Sequence, residues 1–164
     1  MTSINVFGEH AAKEIREQLP QGNCVYVCIG TQQVLSDSLG PAVGTLVNEK
    51  MQQPLTVYGL YENNITAVNL HTAYRLIRLL HPDATIVVID AAVGDEEEVG
   101  TVQCYRGPMR PGAATNKNLP DVGDFSILGV VSQRGLKDFY TTCFDRLKLV
   151  NRMAVAIADA ICGT

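Results

Sequence analysis

The sequence predicts an α/β fold in which a twisted, mostly parallel sheet carries helices on both faces. Near-continuous apolar runs, typical of strands buried on both faces, occur at residues 24–29, 55–58, 85–89 and 125–131. Segments with helical spacing of apolar residues separate the first three runs. Because parallel neighbours need a crossover connection, this alternation of strand and helix predicts parallel pairing.

Helical segments are predicted over residues 10–19, 37–52, 67–80 and 144–161. Pro20 ends the first of them, and Pro41 lies in the first turn of the second, where a missing N–H has no cost. The apolar residues of the third helix are Val68, Ala73, Leu76, Ile77 and Leu80. The inner stripe of the last helix is Phe144, Leu147, Val150, Ala154, Ile157 and Ile161.

Two further segments have distinctive patterns. Residues 101–105 alternate between apolar and polar side chains, which predicts a half-exposed edge strand. An unprotected edge can pair with another chain, so a homodimer is expected. Residues 107–124 are rich in Pro, Gly and Asn and show no periodicity. A connection of that length in a compact domain is often functional, so this loop is a candidate part of a site.

The length, charge and cysteine usage limit the class of protein. A chain of 164 residues fits a single domain spanning residues 1–164. Acidic residues outnumber basic ones, 17 to 13, and the isoelectric point is near 5.3, which argues against nucleic acid or an anionic membrane as the main partner. No apolar run is long enough to cross a membrane, and the N-terminus lacks the apolar core of a secretory signal. The five cysteines indicate free thiols, so a cytoplasmic location is expected.

Two aspartates are the candidate catalytic residues. Asp90 ends the most apolar strand, where burial of a carboxylate is costly unless a partner offsets it. Asp37 lies at the expected start of the second helix. Because the carboxyl ends of parallel strands meet at one edge of a sheet, the two carboxylates can approach across one cleft. Adjacent carboxyls cannot both ionise freely, so one can act as the acid and the other as the base on a water.

Structural alternatives exist for these residues and for the other charged positions. Asp90 can cap the turn that follows it, and Ser36 or Asp37 can cap the helix, which stabilises it by about 1 kcal/mol. Lys117 and Arg110, in the long loop, either orient a ligand carbonyl or carboxylate or are solvated. The acidic run at residues 95–98 is predicted to be a solvated turn. Phosphate-loop, dinucleotide, nucleophile-elbow and HExxH motifs are absent from the sequence.

Two motifs carry a resemblance to a known family. CIGT-x5-DSLGP runs over residues 28–41, and VVIDA runs over residues 87–91. With them, the chain resembles the spore germination protease and hydrogenase-maturation endopeptidase superfamily. Within that superfamily the pattern PG…K…LPDVGD, at residues 111–124, is most similar to the sporulation proteins of the YyaC type. The resemblance spans nearly all of residues 24–161.

The resemblance implies a three-layer α/β/α sandwich of the phosphorylase/hydrolase-like kind and endopeptidase activity. Two aspartates at these motif positions are the proposed catalytic pair of the germination protease, and they correspond to Asp37 and Asp90. In the hydrogenase-maturation enzymes an acidic metal ligand follows the first aspartate, and a later loop supplies a histidine. This chain has Ser38 at the first position and no histidine in residues 107–124. No metal and no cofactor are therefore expected.

The expected function is that of an endopeptidase of a spore-forming bacterium, acting on spore proteins in the cytoplasm of the forespore. Asp37 and Asp90 would activate a water against the peptide carbonyl. The expected binding residues for the protein or peptide substrate are Gly30, Thr31, Ser38 and Lys117. Two alternatives remain open. One is a catalytically inactive binding or regulatory sporulation protein on the same fold, and the other is metal-assisted hydrolysis with His71 as an additional ligand.

Overall fold

The computed structural model describes residues 1–110, 120–135 and 143–164 of the chain. Its strands are β1 (Thr2–Asn5), β2 (Cys24–Cys28), β3 (Thr56–Tyr58), β4 (Thr85–Gly94), β5 (Thr101–Arg106) and β6 (Phe125–Gln133). Its helices are α1 (Ala11–Gln18), α2 (Leu39–Lys50), α3 (Leu70–Leu80) and α4 (Cys143–Cys162). Single-turn 3₁₀ helices, Leu35–Asp37 and Glu96–Glu98, precede α2 and follow β4.

The described strands form one sheet in the order β1-β5-β6-β4-β2-β3. The pairs β3–β2, β2–β4 and β4–β6 are parallel, whereas β5 is antiparallel to β6 and β1 is antiparallel to β5. Helices cover both faces of this sheet. The predicted α/β architecture, a three-layer α/β/α sandwich around a mostly parallel sheet, is therefore confirmed.

Alternating side chains of the central strands supply two separate cores. On one face, helices α1, α2 and α4 pack against residues such as Val87 and Ile89 of β4. On the other face, α3 packs through Leu70 and Ile77 against β2 and against Val88 of β4. Each core consists mainly of apolar side chains, whose removal from water is the main stabilising contribution to the fold.

Several predicted boundaries are wrong. The prediction ended the third strand at Asp90, but β4 continues through small residues to Gly94. The third helix begins at Leu70 instead of residue 67, which leaves Val68 outside it and exposed. Leu147 was expected on the inner stripe of the last helix, but its side chain is 43% exposed. Val150 and Ile157 do lie in the core as expected.

The strand at residues 101–105 was predicted to be an edge strand, and this prediction is wrong. The structure places β5 between β6 and the short N-terminal strand β1, which pairs with it from Thr2–Cys104 to Asn5–Thr101. The sequence TSIN of β1 is short and polar, so it carries no strand signal of its own. Because β1 pairs with the outer edge of β5, that edge is not free to pair with a second copy of the chain. The predicted homodimer contact through β5 is therefore not available.

An aspartate–arginine pair joins α3 to the start of β4. Asp124 accepts hydrogen bonds from Arg78 Nη2 at 2.5 Å and from the Ile86 N–H at 2.8 Å. Partial burial raises the pKa of Asp124, but the hydrogen bonds from Arg78 and Ile86 together outweigh burial and hold the pKa below its usual value. The ionised form of Asp124 is therefore the form that stabilises the fold.

We expect Asp124→Asn to lower the free energy of unfolding at neutral pH by about 1 kcal/mol, a value reduced for the partial exposure of the pair. The contribution of a carboxyl with a lowered pKa is present above its unfolded-state pKa and is lost as the pH falls through the folded-state pKa. Urea unfolding at neutral and strongly acid pH would measure the difference. Asp121→Asn removes an exposed pair with Arg110 and is the matched control, with an expected change near zero. A larger loss at acid pH than at neutral pH would contradict this account.

Candidate active site

A cavity of about 730 Å³ opens at the carboxyl ends of the parallel strands. The chain crosses from β2 through α2 to β3 in one direction along the sheet, and from β3 through α3 to β4 in the other. Helices α2 and α3 lie on opposite faces, and the cavity lies where the direction changes. Such a switch point is the usual position of ligand sites in open α/β sheets. Asp37 and Asp90 both line this cavity. The structure therefore brings together the two candidate catalytic residues.

Asp90 lies just past the point where β2 leaves the sheet. The last residue pair between β2 and β4 is Cys28 with Ile89, and the Ile29 N–H still donates to the Ile89 C=O at 2.8 Å. Asp90 was predicted at the end of its own strand, but it lies within β4 and beyond the end of β2. Space opens at the Asp90 side chain because β2 ends there, and not because β4 ends.

Asp37 is held by a tight loop between β2 and α2. Its backbone N–H donates to the Val34 C=O, and its C=O accepts from the Thr31 N–H, each at 2.9 Å. Gly30 makes this closure possible, because its φ is +136° and a Cβ at this position would lie 2.1 Å from the Asp37 carbonyl oxygen. Gly30 therefore acts on the site through the backbone that positions Asp37.

The start of α2 lies in close contact with the end of β2. A Cβ on Gly40 would lie 2.0 Å from the carbonyl oxygen of Ile29 and 2.7 Å from its nitrogen. Leu39 is fully buried on the opposite side, against the backbone of Gly129 in β6. The residues that follow Asp37 in the DSLGP motif thus fix the position and direction of α2 relative to the end of β2. They thereby fix the position of the Asp37 loop.

Asp90 is a buried carboxyl next to a second acid. Only 7% of its surface is exposed. Burial raises its pKa well above the usual value, the negative charge of Asp37 raises it further, and a hydrogen bond from the Ala91 N–H to Oδ1, at 2.8 Å, opposes both effects. Among the described residues, no lysine or arginine forms a salt bridge with Asp90. Burial and the charge of Asp37 therefore shift the titration of Asp90 toward the protonated form, with a raised pKa.

We expect Asp90→Asn to raise the melting temperature by a few degrees at neutral and alkaline pH. Asparagine keeps the Ala91 hydrogen bond and removes the cost of either protonating the carboxyl or burying its charge above its unfolded-state pKa. A group with a raised folded-state pKa stabilises the fold fully below its unfolded-state pKa and loses this contribution as the pH rises through the folded-state pKa. The gain from the substitution should therefore vanish at acid pH. Calorimetric melting across this range would measure it, and Asp83→Asn, at an exposed position, serves as the control. A destabilised Asp90→Asn variant at neutral pH would contradict the assignment.

The wall opposite the aspartates contains polar residues that the sequence analysis missed. Glu98 and Gln103 line the cavity, and Gln103 Nε2 donates to Glu98 Oε1 at 3.2 Å. The other carboxylate oxygen of Glu98 accepts from the Asp95 N–H at 2.8 Å, which completes a capping box. Residues 95–98 were predicted to be a solvated turn. The D-x-x-E spacing typical of a capping box is the sequence signal that could have predicted the inward orientation of the Glu98 side chain.

The predicted substrate-binding residues lie outside this cavity lining or outside the described residues. Thr31 Oγ1 accepts from the Gln33 N–H at 3.2 Å, and Ser38 Oγ donates to the Leu35 C=O at 2.8 Å. Gly30, Thr31 and Ser38 are not among the residues that line the cavity. Lys117 falls outside the described part of the chain. The substrate-binding roles of these four residues stay predictions.

Two arginines are among the described residues that line the cavity. Arg110 lines the cavity and its Nε donates to Asp121 Oδ1 at 3.0 Å. Arg134 also lines the cavity and is exposed. Arg134 follows the end of β6, at the same edge of the sheet as the aspartates, whereas Arg110 follows the end of the antiparallel strand β5, which lies beside the start of β6. They can attract an anionic group of a ligand without neutralising Asp90.

The described residues around Asp37 and Asp90 do not provide the donor set of a resident metal. The position after Asp37, which is acidic in the hydrogenase-maturation enzymes, holds Ser38, whose hydroxyl is buried and donates to a backbone carbonyl. His71 is exposed on α3 and is not part of the cavity lining. Within the described ranges, no group of three or more His, Cys, Asp or Glu side chains is placed to hold a metal ion.

The α/β fold of this chain is similar to that of a protease of known structure. The crystal structure of a [NiFe] hydrogenase maturation protease, HycI, from Thermococcus kodakarensis KOD1 superposes with a TM-score of 0.54. It covers 85% of this chain and 92% of the HycI chain at 18% identity, so the likeness shows the fold. Among the helices of the described residues, none is long and apolar enough to span a membrane.

The family model described as "Protein of unknown function (DUF1256)" matches residues 3–160, and the chain belongs to this family. It is similar to the protein "Uncharacterized protein YyaC" of Bacillus subtilis (strain 168), with 36% identity over 137 residues. The match covers 84% of this chain and 67% of the relative. The predicted relation to proteins of the YyaC type is thereby confirmed.

Proposed function

We propose that this protein is an endopeptidase that hydrolyses peptide bonds with Asp37 and Asp90. The observation that carries the proposal is the burial of Asp90 beside the negative charge of Asp37, at one cavity of a protease-like fold. Two carboxyls with different environments at one site are the arrangement that separates an acid from a base. The cavity volume, about 730 Å³, lies within the range of ligand clefts.

In the proposed reaction the two carboxyls hold one proton between them, and Asp90 is the member that carries it. Asp37, as the carboxylate, removes a proton from a water whose oxygen forms a bond to the peptide carbonyl carbon. Asp90 donates its proton to the carbonyl oxygen, which becomes a hydroxyl of the tetrahedral intermediate. Collapse of the intermediate re-forms the C=O and breaks the C–N bond, the hydroxyl proton returns to Asp90, and the proton taken up by Asp37 passes to the leaving amine. The sum of these steps is peptide hydrolysis.

The substrate class and the cellular setting of the proposal come from the resemblance to the spore germination protease. We propose that the substrates are spore proteins and that the enzyme works in the cytoplasm of the forespore. The sequence similarity to YyaC of a Bacillus supports this setting. A homodimer is also part of the proposal, with the outer edges of β1 or β3 as the strands available for pairing.

The test is cleavage of purified small acid-soluble spore proteins, followed by mass spectrometry of the fragments. The wild-type protein should produce discrete fragments, and Asp37→Asn/Asp90→Asn should produce none. Asp83→Asn is the matched control, because it removes an exposed carboxylate near the amino end of β4. A wild-type protein that cleaves neither these substrates nor itself would overturn the proposal. Binding of the spore proteins without cleavage would instead identify the regulatory alternative.

A further inference from the structure

Strand β4 is longer than its neighbour β2, and the excess length lies in the cavity. β2 ends at Cys28, opposite Ile89, whereas β4 continues for five residues to Gly94. On its other side β4 stays paired with β6 as far as Gly94, with a register shift between Ala92 and Val93 that leaves Val131 of β6 as the extra residue. Ala91, Ala92 and Val93 line the cavity. Among the described residues, therefore, no strand pairs with this side of β4 at the candidate active site, and we call this side the vacant edge.

The hydrogen bonds of β4 identify which backbone groups face the vacant side. The Ile89 C=O accepts from Ile29, on the β2 side, and the Gly94 C=O accepts from Arg134, on the β6 side. Because backbone groups alternate between the two sides of a strand, those of Ala91 and Val93 point toward the side that β2 has left. No described strand lies there to pair with the Ala91 C=O or with the N–H and C=O of Val93.

The Asp90 side chain occupies the first hydrogen-bonding position on this vacant edge. Continued parallel pairing would let the Ile29 C=O accept from the Ala91 N–H. The Asp90 carboxyl accepts that hydrogen bond instead, at 2.8 Å. The unpaired edge of β4 therefore begins next to the buried carboxyl of Asp90. The loop that holds Asp37 lies at the end of this edge. A chain that pairs with this edge passes both carboxyls.

We propose that the substrate binds as an extended peptide that adds a strand to β4, pairing with the Ala91 C=O and with both backbone groups of Val93. This inference rests on the proposed function and specifies how the substrate is held. Backbone pairing makes recognition largely independent of sequence, because every residue other than proline offers the same donor and acceptor. Side chains of the peptide would alternate between the two faces of the sheet. A folded substrate would first have to present an extended segment.

The experiment measures peptide binding separately from cleavage. A random-peptide library is selected against the immobilised Asp37→Asn/Asp90→Asn variant, and the recovered peptide is synthesised with N-methyl groups at successive residues. Methylation removes one backbone donor at a time, so affinity should fall at every second residue and stay unchanged between. Binding of the peptide should also slow amide hydrogen exchange at Val93 and leave that of Ala92, which donates toward β6, unchanged.

Variants at Val93 test the edge directly. Val93→Pro removes the N–H that faces the vacant side and leaves the hydrogen bonds to β6, whereas Val93→Ala keeps the N–H and is the matched control. The proline variant should bind the peptide about tenfold more weakly than the alanine variant. If the proline variant does not fold, the N-methyl series and the Val93 exchange rate decide the question.

Three results would overturn the inference: no peptide is recovered, methylation has no alternating effect, or the proline and alanine variants bind equally. Cleavage by the wild-type protein together with any of these results would leave the aspartate mechanism standing and remove the strand-addition mode alone. Alternating methylation effects in a protein that cleaves nothing would have the opposite meaning, with the binding mode retained and the endopeptidase activity lost.

Discussion

Asp37→Asn and Asp90→Asn should each lower the rate of peptide cleavage by about 10²- to 10⁴-fold, the range typical of a lost general acid or base. Asparagine has nearly the same shape as aspartate, but its amide cannot donate or accept a proton as a carboxyl group does. Because the two carboxyls act as one unit, the double variant should be no slower than either single variant. The measurement is the initial rate of fragment production from one defined peptide substrate.

The pH dependence of the same rate provides the control for this prediction. The pair is active when it holds one proton, so the wild-type rate should pass through a maximum between two apparent pKa values. Asp83→Asn should reproduce both the rate and the profile of the wild-type protein. A single asparagine variant that retains most of the activity would remove that aspartate from the mechanism, because the remaining carboxyl cannot perform both proton transfers.

Gly40→Ala is expected to destabilise the protein by about 3 kcal/mol, a large share of the stability of an ordinary domain. The added Cβ would lie 2.0 Å from the Ile29 carbonyl oxygen, and the atoms that must move belong to the backbone of the β2 end. Alanine has the higher helix propensity, so a loss of stability isolates the steric effect. Denaturant unfolding measures the change.

Asn48→Ala is the matched control for Gly40→Ala, because it lies on the exposed face of the same helix α2. It should leave the free energy of unfolding nearly unchanged or raise it slightly. An unchanged Gly40→Ala variant would show that α2 can move away from β2 at little cost. In that case the DSLGP motif would not fix the position of Asp37 as the structure indicates.

The central strands, which are buried on both faces, have the strongest sequence signal. β2 and β6 are continuous apolar runs, and burial on both faces leaves no polar alternation that could hide them. β1 escaped prediction because TSIN is short and polar and becomes a strand only by pairing with β5, which is distant in the chain. The missed extension of β4 has a similar cause, since Ala91, Ala92 and Gly94 have low intrinsic strand preference and are held by β6.

The candidate site was predictable in part for the same reason. The positions of Asp37 and Asp90 follow from strand order and the rule that sites form at carboxyl ends of parallel strands, which sequence patterns can supply. The vacant edge of β4 depends on the difference in length between two strands, and no local pattern encodes that difference. The capping box of Glu98 has a local signal in the D-x-x-E spacing, but the contact of Glu98 with Gln103 of β5 is tertiary and has none.

The most direct test of the paired-acid account is the titration of Asp90 followed by carbon-13 NMR of its carboxyl group, in the wild-type protein and in Asp37→Asn. The account predicts a raised pKa in the wild-type protein and a lower, still raised pKa in the variant, because the charge of Asp37 is removed while burial remains. An Asp90 that titrates at the usual value for aspartate, or whose titration is the same in both proteins, would contradict the account.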